Sequence, residues 1–301
     1  MIKRDTDEKL SAMASRLRLA YTRDHLNEMI NTVTEARMTP REVLLYIFGK
    51  EIDQREANRI RLSTMAAHFP RVCTLEGFDF DAQPSLDPGM IRELTNMEWV
   101  ASGENVMFLG PPGVGKTHLA IALGRQAIKE GHSVLFTTAA NLMGMLEKAN
   151  NDGTLGEKIS ILNKPKLLII DEVGYLPFSP NTAHLLFQLV CKRYENKSIL
   201  LTSNRPVSEW GMIFGDPTVA TAILDRLLHH CTPITIMGDS YRIKASLQSK
   251  LLEKTREGQN TRLNSPPFLL LIQEMGISSK PEGYCFQQFQ LEFIKNWDRV
   301  S

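Results

Sequence analysis

The sequence predicts an α/β fold, a parallel sheet sandwiched by helices, preceded by a small all-α N-terminal domain. Three observations predict it. Residues 1–72 carry apolar positions at helical spacing. From Val106 to Met237, short Val/Ile/Leu runs alternate with helical segments, the pattern of a parallel sheet covered on both faces. Between the first apolar run and the first helix of that region stands Gly110-Pro111-Pro112-Gly113-Val114-Gly115-Lys116-Thr117, a complete G-x-x-x-x-G-K-[ST] match.

Composition sets the outer limits. At 301 residues, 43% hydrophobic and 23% charged, the chain is of ordinary globular composition with room for one large domain or two modest ones. Net charge is +1, but residues 73–109 hold one base, Arg92, against seven acids, while residues 1–72 hold 13 bases against 10 acids. The four cysteines (Cys73, Cys191, Cys231, Cys285) form no C-x-x-C pair, which argues against a zinc site or a disulfide framework and fits a reducing compartment. The N-terminus is too polar for a signal peptide, and no apolar run approaches a membrane span. A cytoplasmic protein without membrane contact is expected.

Taken in order, the helical region opens with two stripes, Leu10/Met13/Leu17/Ala20 and Leu26/Met29/Ile30/Val33. Thr39-Pro40-Arg41-Glu42 then carries a cap, a first-turn proline and a capping-box acid, starting a long helix through Ile60 with a bend expected near Gly49. Arg55, Arg59 and Arg61 on it would either contact phosphates, or be solvated or paired with Glu51, Asp53 and Glu56. Phe69-Pro70 breaks the pattern, and a domain boundary is placed near residue 73. After an acidic, aromatic loop (Gly77–Asp81), Asp87-Pro88 opens a helix through Trp99. Strands are expected at Val106–Leu109, Ser133–Thr138, Lys166–Asp171, Ser198–Asn204 and Pro233–Met237. Helices are expected at 118–124, Ala139–Lys148, Thr154–Asn163, Asn181–Tyr194 and Pro217–His230. Beyond Ala245 the pattern weakens, although six aromatic residues from Phe268 to Trp297 make it a poor candidate for disorder.

The chemistry gathers at strand ends. A strand, a glycine-rich turn and a helix N-terminus make a phosphate cradle, because the glycines let N–H groups turn inward and the helix dipole adds positive potential. Gly110, Pro111, Pro112, Gly113, Val114, Gly115, Lys116, Thr117 and His118 are assigned to a nucleoside triphosphate. Lys116 would reach the β- and γ-phosphates and Thr117 would sit on Mg²⁺. Asp171 closes an apolar strand and would hold the Mg²⁺. Glu172, one residue on and facing the other way, would polarise a water aimed at the γ-phosphate. An acid there favours hydrolysis over a small-molecule kinase. Asn204 would orient that water, or else simply form the turn before Arg205-Pro206. Arg226 would offer a planar cation to γ-oxygens, or else pair with Asp225 or stand as a surface charge, and the sequence leaves that even. Arg242 follows the last strand.

These residues resemble an AAA+ ATPase of the helicase-loader clade, and specifically the IstB-type ATP-binding proteins of insertion sequences, relatives of DnaC-type helicase loaders. The stretches that carry the resemblance are Gly110–Ala120, Leu168–Pro177, Thr202–Arg205, Leu224–His230 and Gly238–Arg242, with weaker likeness upstream at Glu51–Arg59 and Leu75–Phe80. The resemblance implies an arginine finger acting in trans at Arg226 and a second nucleotide sensor acting in cis at Arg242. It implies that Leu142–Asn163 helps build a helical oligomer. It implies ATP and Mg²⁺ as ligands, and ATP-dependent homo-oligomers, ring or helical, on duplex DNA that serve a cognate transposase. The DNA- or partner-binding segment is then 1–72, the ATPase domain with its linker 73–244, and 245–301 a tail outside the resemblance. A DnaC-type replicative helicase loader is the alternative, since it shares the ATPase core.

Overall fold

The sheet comes first, because the site hangs from it. In the computed structural model, which describes residues 2–175 and 178–241, five parallel strands run in the order β2-β3-β4-β1-β5. They are β1 (Asn105–Leu109), β2 (Val134–Thr138), β3 (Leu167–Val173), β4 (Ser198–Ser203) and β5 (Cys231–Thr235). All described residues belong to one unit, 1–245.

The helices before the sheet are α1 (Ile2–Arg16), α2 (Ala20–Asp24), α3 (Leu26–Glu35) and α4 (Pro40–Ala66), then α5 (Pro88–Leu94) and α6 (Glu98–Ser102). Within the alternating region come α7 (Lys116–Lys129), α8 (Ala139–Asn151), α9 (Leu155–Leu162), α10 (Pro180–Arg193), α11 (Trp210–Phe214) and α12 (Pro217–Leu228). One buried cluster joins α7, α5 and α6 to one face of the sheet through Leu119, Leu123, Ile91 and Phe108. The other joins α8, α10, α11 and α12 to the opposite face through Leu142, Leu186, Phe214 and Ile223. Both faces are therefore dry, which is why the strands read as unbroken apolar runs. With its helical N-terminal region, the architecture is the α/β class expected.

Several local expectations shift. The capping box at Thr39 and Glu42 is present in full, but α4 runs unbroken past Gly49, where an added Cβ would meet nothing within 4 Å. Leu10, Met13 and Leu17 face solvent, at 40%, 60% and 68% exposure, because α1 packs through Ala14 instead. The helix expected from Asp87 through Trp99 is two helices: Asn96 Oδ1 accepts from the Glu98 amide at 2.9 Å and Met97 turns left-handed at φ 59°. β5 begins two residues early, pairing Cys231 with Asn105, and its Pro233 is tolerated because β5 is an edge strand. A 3-10 turn at Val207–Glu209 and α11 are too short to show a period, although α11 buries Trp210 and Phe214.

Two arginines of α4 are paired internally. Arg55 meets Glu51 at 3.2 Å, and Arg59 pairs with Glu56. Arg59 also donates to the carbonyls of Ile128 and Lys129 at 3.0 Å each, so a cation caps the C-terminal end of α7 from α4. The pairing alternative holds for these two, and Arg61 has no carboxylate partner among the described residues. On the other side of the sheet, Arg193 is fully buried and donates to the carbonyls of Leu162, Pro165, Lys166 and Ser198. It ties the end of α9 to the starts of β3 and β4, and burial pushes its pKa down to about 10.

Candidate nucleotide site

In an open parallel sheet, ligands bind outside the carboxyl ends of the strands where the chain reverses direction across the sheet. Here the chain leaves β1 for the far edge at β2 and returns through β3 and β4. The carboxyl ends of β1, β3 and β4 all face one cavity of about 500 Å³, a size typical of small-molecule sites.

The phosphate loop forms its floor. Gly113 (φ 86°) and Gly115 (φ 100°) occupy left-handed conformations, and both are pressed by neighbours: a Cβ on Gly113 would run into Ser240, and one on Gly115 would lie 2.5 Å from the Phe78 ring. Only glycine satisfies both constraints. The Tyr241 amide donates to Gly113 O at 3.0 Å, fastening the segment after β5 to the loop. Lys116 is buried at 8% exposure, and its ammonium donates to the carbonyls of Gly110 and Pro111 at 2.7 Å each. It lies across the loop beside the amino end of α7.

Asp171 is buried at 4% exposure. The Thr117 hydroxyl is shared between its two oxygens, at 2.9 Å and 3.1 Å, and the Thr202 hydroxyl donates to Oδ1 at 2.5 Å. A hydroxyl and a carboxylate side by side at the mouth of a phosphate loop are hard oxygen donors, and the set fits Mg²⁺. Glu172 does not follow simple strand alternation. It sits at φ 63°, within a bulge where β3 spends two residues, Asp171 and Glu172, against one of β4. Alternation would send adjacent side chains to opposite faces, yet Glu172 lines the cavity while Asp171 faces Thr117. Asn204 lines the cavity too, and its Oδ1 is buried with no hydrogen-bond partner. A buried orphan acceptor at that position is what a ligand or an ordered water would satisfy.

His118 also lines the cavity, but its Nε2 is held by the carbonyl of Thr74 at 2.8 Å, with the Phe78 ring edge-on at 5.4 Å. This wall went unread as part of the site. Arg71, Gly77, Phe78, Asp79 and Gln83 all line the cavity, and Gln83 reaches Asp239 O at 3.3 Å. The acidic, aromatic loop at Gly77–Asp81 was its one sequence signal. Thr202 lines the cavity as well; the sequence marks it only as part of the polar end of its strand, with no role of its own.

Arg226 stands elsewhere. It does not line the cavity. Its guanidinium lies 4.8 Å over the Phe187 ring and donates to Ala222 O at 3.1 Å, with no ion pair to Asp225 among the described residues. Its neighbours locate it: Asn105, at the start of β1, donates from its side chain to Leu227 O at 3.0 Å and from its amide to His230 O at 2.7 Å. The phosphate loop leaves the other end of β1, about 13 Å away at a strand's rise of about 3.3 Å per residue. Arg242 lies outside the described residues.

Comparison with known proteins agrees with this geometry. A family model described as IstB-like ATP binding protein matches residues 12–249. The chain is 40% identical over 252 residues to an ATP-binding protein of insertion sequence IS5376 from Geobacillus stearothermophilus, covering 84% of this chain and 99% of that one. It is 42% identical over 246 residues to the corresponding protein of IS21 from Pseudomonas aeruginosa, covering 82% and 93%. Among solved structures, the replication initiator DnaA bound to AMPPCP and single-stranded DNA shares the fold at a TM-score of 0.50 and 22% identity, over 69% of this chain and 61% of that one. The fold is that of P-loop AAA+ proteins, and the chain belongs to the IstB-like ATP-binding proteins of insertion sequences.

Proposed function

We propose that this protein is a Mg²⁺-dependent ATPase of the cytoplasm that assembles on duplex DNA when ATP is bound and assists transposition by recruiting or activating a transposase. The observation that carries the hydrolytic reading is that Glu172 and Asn204 line one cavity above the phosphate loop, beside the Asp171 carboxylate held by Thr117. Lys116 and the loop amides bind the β- and γ-phosphates. Thr117 and Asp171 would hold Mg²⁺, which would supply neutralising positive charge to the phosphates. Glu172 accepts the proton of the attacking water, and Asn204 orients that water through the oxygen that is otherwise orphaned.

The placement of Arg226 one strand-length from its own phosphate loop supports its use by a neighbouring subunit, and so an oligomer. In this reading residues 1–72 contact DNA or the transposase, 73–244 carry the ATPase, and 245–301 have no assigned role. Arg242 remains the proposed cis sensor. Near-complete coverage of insertion-sequence relatives favours transposition over helicase loading.

ATP turnover with and without duplex DNA, read alongside the mass of the complex, tests the proposal. Turnover that depends on Mg²⁺ and large DNA-bound species that require ATP are expected. A monomer that ignores duplex DNA in the presence of ATP would refute the assembly claim.

A further inference from the structure

We infer that Thr202 is the positioning residue that sets both acids of the site, an inference that rests on the ATPase reading above. The register places it there. Ile170 pairs with Leu201 and Val173 with Ser203, so Thr202 alone faces the two residues of the bulge, Asp171 and Glu172. Its single hydroxyl serves both. Its proton goes to Asp171 Oδ1 at 2.5 Å, and its oxygen accepts the Glu172 amide at 2.9 Å.

Each bond has a separate consequence. A carboxylate bears four lone-pair sites, and one donor fixes which face it turns toward Thr117 and the metal position. Partners of this kind orient metal ligands, and removing them usually costs about 10–100-fold in affinity or activity. The bond to the Glu172 amide answers a different problem. A bulge leaves a backbone donor without its ladder partner, and a glutamate at φ 63° is unfavourable without local support. By accepting that amide, Thr202 stabilises the left-handed turn that swings the Glu172 carboxylate into the cavity. Thr202 is 1% exposed, so water does not replace its hydroxyl. A residue that only filled space in β4 would serve equally well as valine.

Thr202→Val keeps the shape and the β-branch but removes the hydroxyl, whereas Thr202→Ser keeps the hydroxyl. Binding of a fluorescent ATP analogue is titrated with Mg²⁺, and kcat and KM for ATP are measured separately. For Thr202→Val we expect the Mg²⁺ midpoint to rise about 10–100-fold and kcat to fall by a similar factor. Metal-free binding of the analogue should stay near wild type, while the melting temperature should fall by a few degrees because the buried Glu172 amide loses its acceptor. Thr202→Ser should restore both losses. Wild-type Mg²⁺ dependence and kcat in the valine variant would overturn the inference. So would equal failure of both variants with loss of metal-free binding, which marks a purely structural residue. If the wild-type protein turns over no ATP, the ATPase reading fails, while the Mg²⁺ midpoint still decides the role of Thr202 toward Asp171.

Discussion

The hydroxyl of Thr117 donates to both carboxylate oxygens of Asp171, at 2.9 Å and 3.1 Å, joining the first turn of α7 to the end of β3. This contact locks the phosphate loop to the strand that bears the acids. It places a hydroxyl and a carboxylate, two hard oxygen donors of the kind a divalent cation takes, side by side.

Glu172→Gln removes the charge proposed to polarise the attacking water and leaves the Thr117–Asp171 pair untouched. Turnover should fall by about 10²–10⁴-fold, the usual worth of a positioned general base, while nucleotide binding persists. DNA complexes formed with ATP should then outlive those of wild type in a gel-shift time course. Unchanged turnover would remove Glu172 from the mechanism.

The helical region has an acid-sensitive joint. Burial raises the pKa of Glu51, but the Thr22 amide and the Arg55 guanidinium outweigh it, so the carboxyl is held below its ordinary value of 4.5. A depressed folded-state pKa contributes stability that is full above about pH 4.5 and is lost as pH falls through the folded value. Glu51→Gln should cost about 1–3 kcal/mol at neutral pH, because buried donors lose a charged acceptor. It should also flatten the acid limb of the stability curve. The same acid limb in wild type and variant would show that Glu51 does not supply it.

Binding to DNA is expected to run through phosphates, with little regard to sequence. Log affinity should then fall linearly with log salt, with a slope of about −0.9 per phosphate neutralised. Because Arg55 and Arg59 are held by Glu51 and Glu56, alanine at either should barely change that slope. A flat salt response, or a sharp preference for one short duplex, would contradict phosphate-led binding.

The site was legible in the sequence wherever one residue type has one job. The phosphate loop needs glycine at left-handed positions and a lysine at the helix start, so its spacing alone located it. Strands buried on both faces announced themselves as apolar runs. What escaped depends on non-local contacts. Phe78 is an ordinary aromatic until it meets Gly115 and His118. Thr202 looks like strand filler until register sets it opposite a bulge. The bulge that carries Glu172 at φ 63° is likewise invisible in the sequence, because it depends on how β3 and β4 pair. Leu10, Met13 and Leu17 show the converse: a regular stripe states that a helix has an apolar face, not that the face is covered.

The central claim is a nucleotide site completed by a neighbouring subunit, and mixing two inactive variants tests it most directly. Arg226→Ala subunits keep an intact pocket, and Lys116→Ala subunits keep an intact Arg226. With Arg226 acting in trans, each variant alone should lose ATPase activity by about 10³-fold or more. The mixture, assembled on duplex DNA, should then regain activity wherever a good pocket meets a good arginine. If mixed assemblies form and no activity returns, Arg226 serves its own subunit or none, and the shared site is wrong.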